Sequence, residues 1–176
     1  MIKIIQKEMI SLKEMKSINE SIVQKYINDN PRVLGLGDLE VIKKELIQQS
    51  GGRLDFLLQN EDEDTRYEVE VQLGQTDPSH IIRTIEYWDN EKKRTPDKNH
   101  IAVLIAENIT DRFQNVISLF NKSIPMIAIK MVAFKEQDDN ISLSFIKIMD
   151  LANIDQEDDI DKTVTDRSYW KRNQKK

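Results

Sequence analysis

The sequence predicts an α/β domain built on a central mixed β-sheet flanked by helices. Three observations carry this reading. Amphipathic helical stretches alternate with strand-like runs in the order helix, three strands, helix, strand, helix, two strands. Two apolar runs, Ile101 to Ala106 and Pro125 to Phe134, read as interior strands covered on both faces. The composition, 39% hydrophobic and 32% charged with 5 Gly and 4 Pro, fits an ordinary folded α/β chain and excludes collagen-like or low-complexity sequence. At 176 residues the length suits about one domain with a substantial core, which we place at residues 1–150.

The elements follow in order. Residues 1 to 16 fit neither period cleanly. Ser17-Ile18-Asn19-Glu20 has the form of a capping box, and Ile22, Val23, Tyr26 and Ile27 line one face of a helix from about 18 to 29 that Pro31 ends. Gly35 and Gly37 mark a loop, but the third glycine and the flanking strand and helix of a dinucleotide loop are missing. Leu39 to Gln48 and Arg53 to Gln59 then read as a hairpin across Gly51-Gly52. In Arg66 to Leu73, Tyr67, Val69, Val71 and Leu73 alternate with Glu68, Glu70 and Gln72, the clearest period of two in the chain. Asp77-Pro78-Ser79 starts a helix with a capping aspartate and a proline at the first position, and its apolar stripe Ile81, Ile82, Ile85 and Trp88 runs until Pro96. Thr110 caps a helix carrying Phe113, Val116, Ile117 and Phe120. The last strand, Ile141 to Met149, slips phase at Ile146, as a bulge would cause.

Several function classes fall away. With no cysteine, disulfides, thiolate zinc, iron-sulfur clusters and cysteine nucleophiles are excluded, and the two histidines, His80 and His100, are too few for a zinc site. No window approaches a membrane span, and the charged start is unlike a secretory signal, so a cytoplasmic location is expected. The net charge of −5 argues against a generic nucleic-acid binder, although the charge is segregated. Residues 152–161 hold five acids and no base, whereas residues 162–176 hold six bases against Asp166. Residues 151–176 thus read as an acidic spacer and a basic C-terminal tail. Charge runs of this kind also occur as plain solvated surface. The run Thr165 to Trp170 suggests the start of a helix that docks a partner.

The chemistry lies between two strands. Glu68, Glu70 and Gln72 share one face of their strand, and pairing with the preceding strand brings Asp55 beside Glu70. Two carboxylates without cysteine or histidine suit a hard cation such as Mg²⁺, which uses one or two protein carboxylates, waters and a substrate phosphate. Metal-assisted phosphodiester hydrolysis is the chemistry this implies. The same alternation also arises on any antiparallel strand with one wet face, with Asp55 an ordinary surface residue near a turn.

The stretch Gly52-Arg53-Leu54-Asp55-Phe56-Leu57-Leu58, then Tyr67-Glu68-Val69-Glu70-Val71-Gln72, then a helix with Arg83 and Tyr87, resembles the PD-(D/E)xK nuclease superfamily. Within it, the chain is similar to the branch of RecB-type nuclease domains and archaeal junction resolvases. The likeness covers roughly residues 17–134 in element order. It implies a restriction-endonuclease-like three-layer fold and a DNA nuclease using Mg²⁺, with Mn²⁺ able to substitute. Asp55 and Glu70 are then metal ligands, the Val71 carbonyl is a further ligand, and Gln72 stands at the third motif position, where lysine is usual. The motif is therefore an E-x-Q variant. One unit charge about 4 Å away at an effective dielectric near 20 is worth about 4 kcal/mol, or about a thousandfold in rate. Either Gln72 serves with the metal providing the electrostatics, or Lys43 or Lys44 of the neighbouring strand supplies the charge, or the domain only binds nucleic acid or a protein partner. Arg83-x-x-x-Tyr87 falls where RecB-type domains carry Gln-x-x-x-Tyr, and His80, Arg83 and Tyr87 follow one helix face. Arg83, Lys92, Lys93, Arg94 and the tail bases are the expected DNA contacts. Glu20 is either the first-helix acid aimed at the metal or simply part of its capping box, and Glu68 either supports the site or is solvated. Paired cuts in duplex DNA would call for a homodimer.

Overall fold

The computed structural model describes residues 2, 6–49, 51–138 and 140–151, and the acidic spacer and basic tail from 152 onward lie outside the described residues. The elements are β1 (Met9–Ile10), α1 (Glu20–Asp29), a 3₁₀ turn (Pro31–Leu34), β2 (Glu40–Ile47), β3 (Arg53–Asn60), β4 (Thr65–Gln75), α2 (Pro78–Arg94), β5 (Asn99–Asn108), α3 (Asp111–Phe120), β6 (Met126–Lys135) and β7 (Ile141–Met149). The predicted order holds, with the two-residue β1 added from the ambiguous start. That strand pairs only Met9 with Phe134 and Ile10 with Ala133, too short a run to show a period.

All seven strands form one mixed sheet in the order β1-β6-β5-β4-β3-β2, with β7 on the other edge of β6. Strands β2, β3 and β4 are antiparallel, β4, β5 and β6 parallel, and β7 antiparallel to β6. The alternation of β4 divides the core. Tyr67, Val69, Val71 and Leu73 pack with Val23 and Ile27 of α1 on one face. On the other, Ala102, Leu104 and Ala106 of β5 meet Ile81 and Trp88 of α2 and Ile117 of α3. The result is helix, sheet, helix, the three layers expected.

Local chemistry sets the helix ends. Asp77 accepts from the backbone N–H groups of Ser79 (2.8 Å) and His80 (3.2 Å), and Pro78 follows at the first position. Helix α1 begins differently from the expectation. Its cap is Asn19, whose Oδ1 accepts from Ile22 N–H, so the Ser17 capping box does not form and Glu20 is the first helical residue. Glu20 is thereby free of the role that would have explained it. In β7 the irregularity lies at Ile148, between the pairs Ile129 with Lys147 and Ala128 with Met149, and Ile146 is simply half exposed.

Candidate active site

Strands β3 and β4 pair from Asn60 and Thr65 as far as Phe56 and Val69, and there the ladder stops. Beyond that point β3 stays with β2 and β4 stays with β5, leaving a notch between them. Asp55 and Glu70 are the first residues past the last rung. Their carboxylates take up backbone groups that a continued ladder would have paired. Val71 N–H donates to Asp55 Oδ2 at 2.7 Å, and Asp55 N–H points to Glu70 Oε1 at 3.4 Å. In an extended strand the N–H and C=O of one residue face the same side, so the Val71 carbonyl shares this edge.

The helices on both faces contribute. From α1, Glu20 and Gln24 stand one turn apart. Gln24 Nε2 donates to Asp55 Oδ1 at 2.8 Å, and Glu20 Oε1 lies 3.4 Å from Leu73 N–H, the next free donor along β4 after Val71. From α2, Arg83 Nη2 reaches Glu70 Oε2 at 3.1 Å. Tyr87 is buried at 2% exposure one turn later. Its hydroxyl sits against Gly52 in the β2–β3 turn, where a Cβ would come within 2.2 Å of it. Gly52 also has φ of 84°, so both backbone and space require glycine. Glu45, opposite Asp55 on β2, adopts φ of 51°, a conformation strained for a residue with a Cβ.

Burial and crowded negative charge dominate the electrostatics. Glu70 is 1% exposed. Burial and the Asp55 charge push its carboxyl well above the ordinary range, and Arg83 offsets only part of this. Burial also raises Asp55; the Val71 N–H and Arg83 oppose it, while Glu20 and Glu45 add to it. Gln72, two residues along the same face, is buried. Its Nε2 donates to the Gln75 carbonyl at 2.9 Å, which fixes the amide orientation and leaves the buried Oε1 without a partner. Tyr87 is raised by burial and by the Glu70 charge.

Other predicted residues lie elsewhere or act differently. Glu68, Glu70 and Gln72 do not form a wet face on β4: all three are buried, because α2 covers them. Glu68 is neither solvated nor at the notch: it lies 2.8 Å from His100 Nδ1 in the core, while His100 Nε2 faces the Thr95 carbonyl at 2.9 Å. His100 thus bridges the Glu68 carboxyl and the Thr95 backbone inside the core. His80 turns back to the helix cap, with Nδ1 3.1 Å from Asp77 Oδ1. Neither Lys43 nor Lys44 bonds the carboxylate pair, and the cation on it is Arg83. Lys92 packs over the Trp88 ring at 4.7 Å, Lys93 pairs with Asp89 at 2.5 Å and Arg94 with Glu91 at 3.3 Å, and all three remain exposed. Sequence reasoning missed Gln24. Its signal was a polar residue beside Val23 and one turn after Glu20, on the face that becomes buried.

Among the described residues no three Asp, Glu or His side chains form a metal-binding cluster. The donor set at the notch is instead two carboxylates and a backbone carbonyl edge, all oxygen. This fits a hard divalent cation that takes its remaining ligands from water and substrate. Negative charge exceeds positive around the pair, and a bound cation would offset it.

No family model matches the chain, and no curated protein matches it in sequence. In structure it is similar to a repair endonuclease from Pyrococcus abyssi, with a TM-score of 0.53 and 19% identity over 66% of this chain and 49% of that one. The chain thus spans about half the length of that protein. No helix of the described residues is long and apolar enough to cross a membrane. The fold is α/β, a mixed seven-stranded sheet flanked by helices, shared with an endonuclease.

Proposed function

We propose that this protein is a nuclease of the PD-(D/E)xK type, with an E-x-Q motif, that hydrolyses DNA phosphodiester bonds with Mg²⁺ held by Asp55, Glu70 and the Val71 carbonyl. Mn²⁺ can substitute. The observation that carries the proposal is the pair of carboxylates, Asp55 and Glu70, set where the β3–β4 ladder opens, with their proton affinities raised by burial and by neighbouring negative charge. The fold shared with a repair endonuclease supports it. When bound, the cation polarises a phosphoryl oxygen and lowers the pKa of a water at neutral pH.

The chain's own residues do the rest. Gln24 and the Val71 N–H fix the Asp55 carboxylate between α1 and β4. Gln72 is held by its amide nitrogen, so its free oxygen accepts a hydrogen bond from the attacking water and orients it. This replaces the water-positioning role of a lysine without its charge. Arg83 supplies the cationic group, on the opposite face from α1. Lys92, Lys93 and Arg94, all exposed, extend the contact along α2 towards neighbouring phosphates, and the exposed Asp89 holds Lys93 only weakly.

The test is cleavage of labelled duplex, single-stranded and branched DNA with Mg²⁺ or Mn²⁺ by wild type, Asp55→Ala and Glu70→Ala. Loss of metal-dependent cleavage in both variants is the expected result, since a contaminating nuclease would not respond to either substitution. If all three proteins are inactive while salt-sensitive DNA binding persists, the nuclease reading fails and a binding module takes its place.

A further inference from the structure

Arg83 and Glu70 are unequally placed. The Glu70 side chain is 1% exposed and that of Arg83 44%, so the guanidinium stands between the buried acid and solvent. Glu70 has two contacts: the long 3.4 Å approach of Asp55 N–H, and Arg83 at 3.1 Å. Arg83 in turn touches Glu70 through Nη2 alone. It does not form the two-pronged pair that arginine and carboxylate make when the pair is built to last. A guanidinium joined at one corner and half in water exchanges partners readily. The acid beneath it cannot leave, because it belongs to the middle of β4.

We infer that Arg83 and a divalent cation compete for the Glu70 carboxylate, so that loading the site frees the Arg83 guanidinium for a phosphate oxygen of the substrate. The inference rests on the proposed metal site and goes beyond it by giving Arg83 two successive partners. In the metal-free protein Arg83 is the cation bonded to Glu70. A doubly charged ion on Glu70 both takes that carboxylate and repels the guanidinium. Phosphate is then the ligand class that matches the freed donors, since it accepts two parallel N–H bonds. Gln72 makes this arrangement useful: the third motif position brings no charge, and Arg83 delivers one only when the metal is in place.

The experiment measures Mn²⁺ affinity by electron paramagnetic resonance without DNA, for wild type, Arg83→Gln, Arg83→Lys and Glu70→Gln. Removing the competing cation should tighten Mn²⁺ binding in Arg83→Gln about tenfold, the size expected for a half-exposed bond to a charged group. Arg83→Lys should stay near wild type. Unchanged or weaker Mn²⁺ binding in a folded Arg83→Gln overturns the competition. A measurement on wild type guards against misfolding of the variant: the Arg83 Nε–H NMR signal should move on saturation with Mg²⁺, and a fixed signal overturns the inference. With Ca²⁺ present, the salt dependence of binding to a short labelled duplex should fall by about one phosphate contact in Arg83→Gln; an unchanged slope removes the phosphate half of the inference. Failure of the metal site itself looks different, because wild type and Glu70→Gln would then bind Mn²⁺ equally poorly.

Discussion

Replacing Glu70 by glutamine should stabilise the metal-free protein at alkaline pH while destroying its proposed metal site. Burial and the Asp55 charge raise Glu70 from the ordinary 4.5 to about 8. The folded protein therefore holds this proton more tightly than the unfolded chain does. The Glu70 contribution to stability is greatest below about 4.5, falls as pH rises towards about 8, and beyond that is fully lost. At about 1.4 kcal/mol per unit, the ionised group costs the fold about 5 kcal/mol. An amide escapes that cost, which the bond to half-exposed Arg83 already offsets in part in wild type. A gain of about 5 kcal/mol is expected at pH 9 and of about 1 kcal/mol at pH 5. Urea unfolding at pH 5, 7 and 9 in the presence of a chelator measures this directly, with the slopes compared to confirm that the unfolded states are alike. Mg²⁺ should then stabilise wild type in proportion to its occupancy and leave Glu70→Gln unmoved. A variant that is destabilised equally at all three pH values would refute the account, since Glu70 would then be an ordinary structural ion pair.

Two further outcomes follow from neighbouring geometry. Burial raises Glu68, and His100 is raised because its bonds to the Glu68 carboxylate and the Thr95 carbonyl outweigh the burial that opposes them. His100→Asn should cost about 3–5 kcal/mol by leaving a buried carboxylate unpaired, and Glu68→Gln with His100→Asn should cost less than His100→Asn alone; strict additivity in urea unfolding would argue against the ion pair. The histidine contribution is complete below about 6.5 and is lost as pH rises through its folded value, so wild type should weaken on the alkaline side. Gly52→Ala should destabilise by about 2 kcal/mol or more, combining a φ of 84° with a Cβ only 2.2 Å from the Tyr87 hydroxyl. Adding Tyr87→Phe should recover the clash but not the backbone strain, and thermal unfolding of the two variants separates them.

The sequence by itself determined the order of the elements, because their signals are local. Alternation along β4, the Asp77-Pro78 cap, and the apolar runs of β5 and β6 each report on a few neighbouring residues, and the structure keeps all of them. It also singled out Asp55 and Glu70 as neighbours, since two strands joined by one turn have few possible registers. What the tertiary structure decided are matters of burial and of distant contacts. A Glu-Val-Glu-Val-Gln alternation reads as one wet face, and only the packing of α2 over β4 turns those polar residues inward. Helix α1 is capped by Asn19 and no capping box forms at Ser17, which leaves Glu20 to approach Leu73. Gln24 reaches Asp55 across 31 positions of sequence, and Glu68 meets His100 across 32, distances over which no periodicity carries information. The charge at the notch was the most consequential of these. Lys43 and Lys44 were nearer candidates by strand adjacency, yet the cation on the carboxylate pair comes from α2, whose position over the sheet depends on the apolar contacts of Ile81 and Trp88 rather than on any motif.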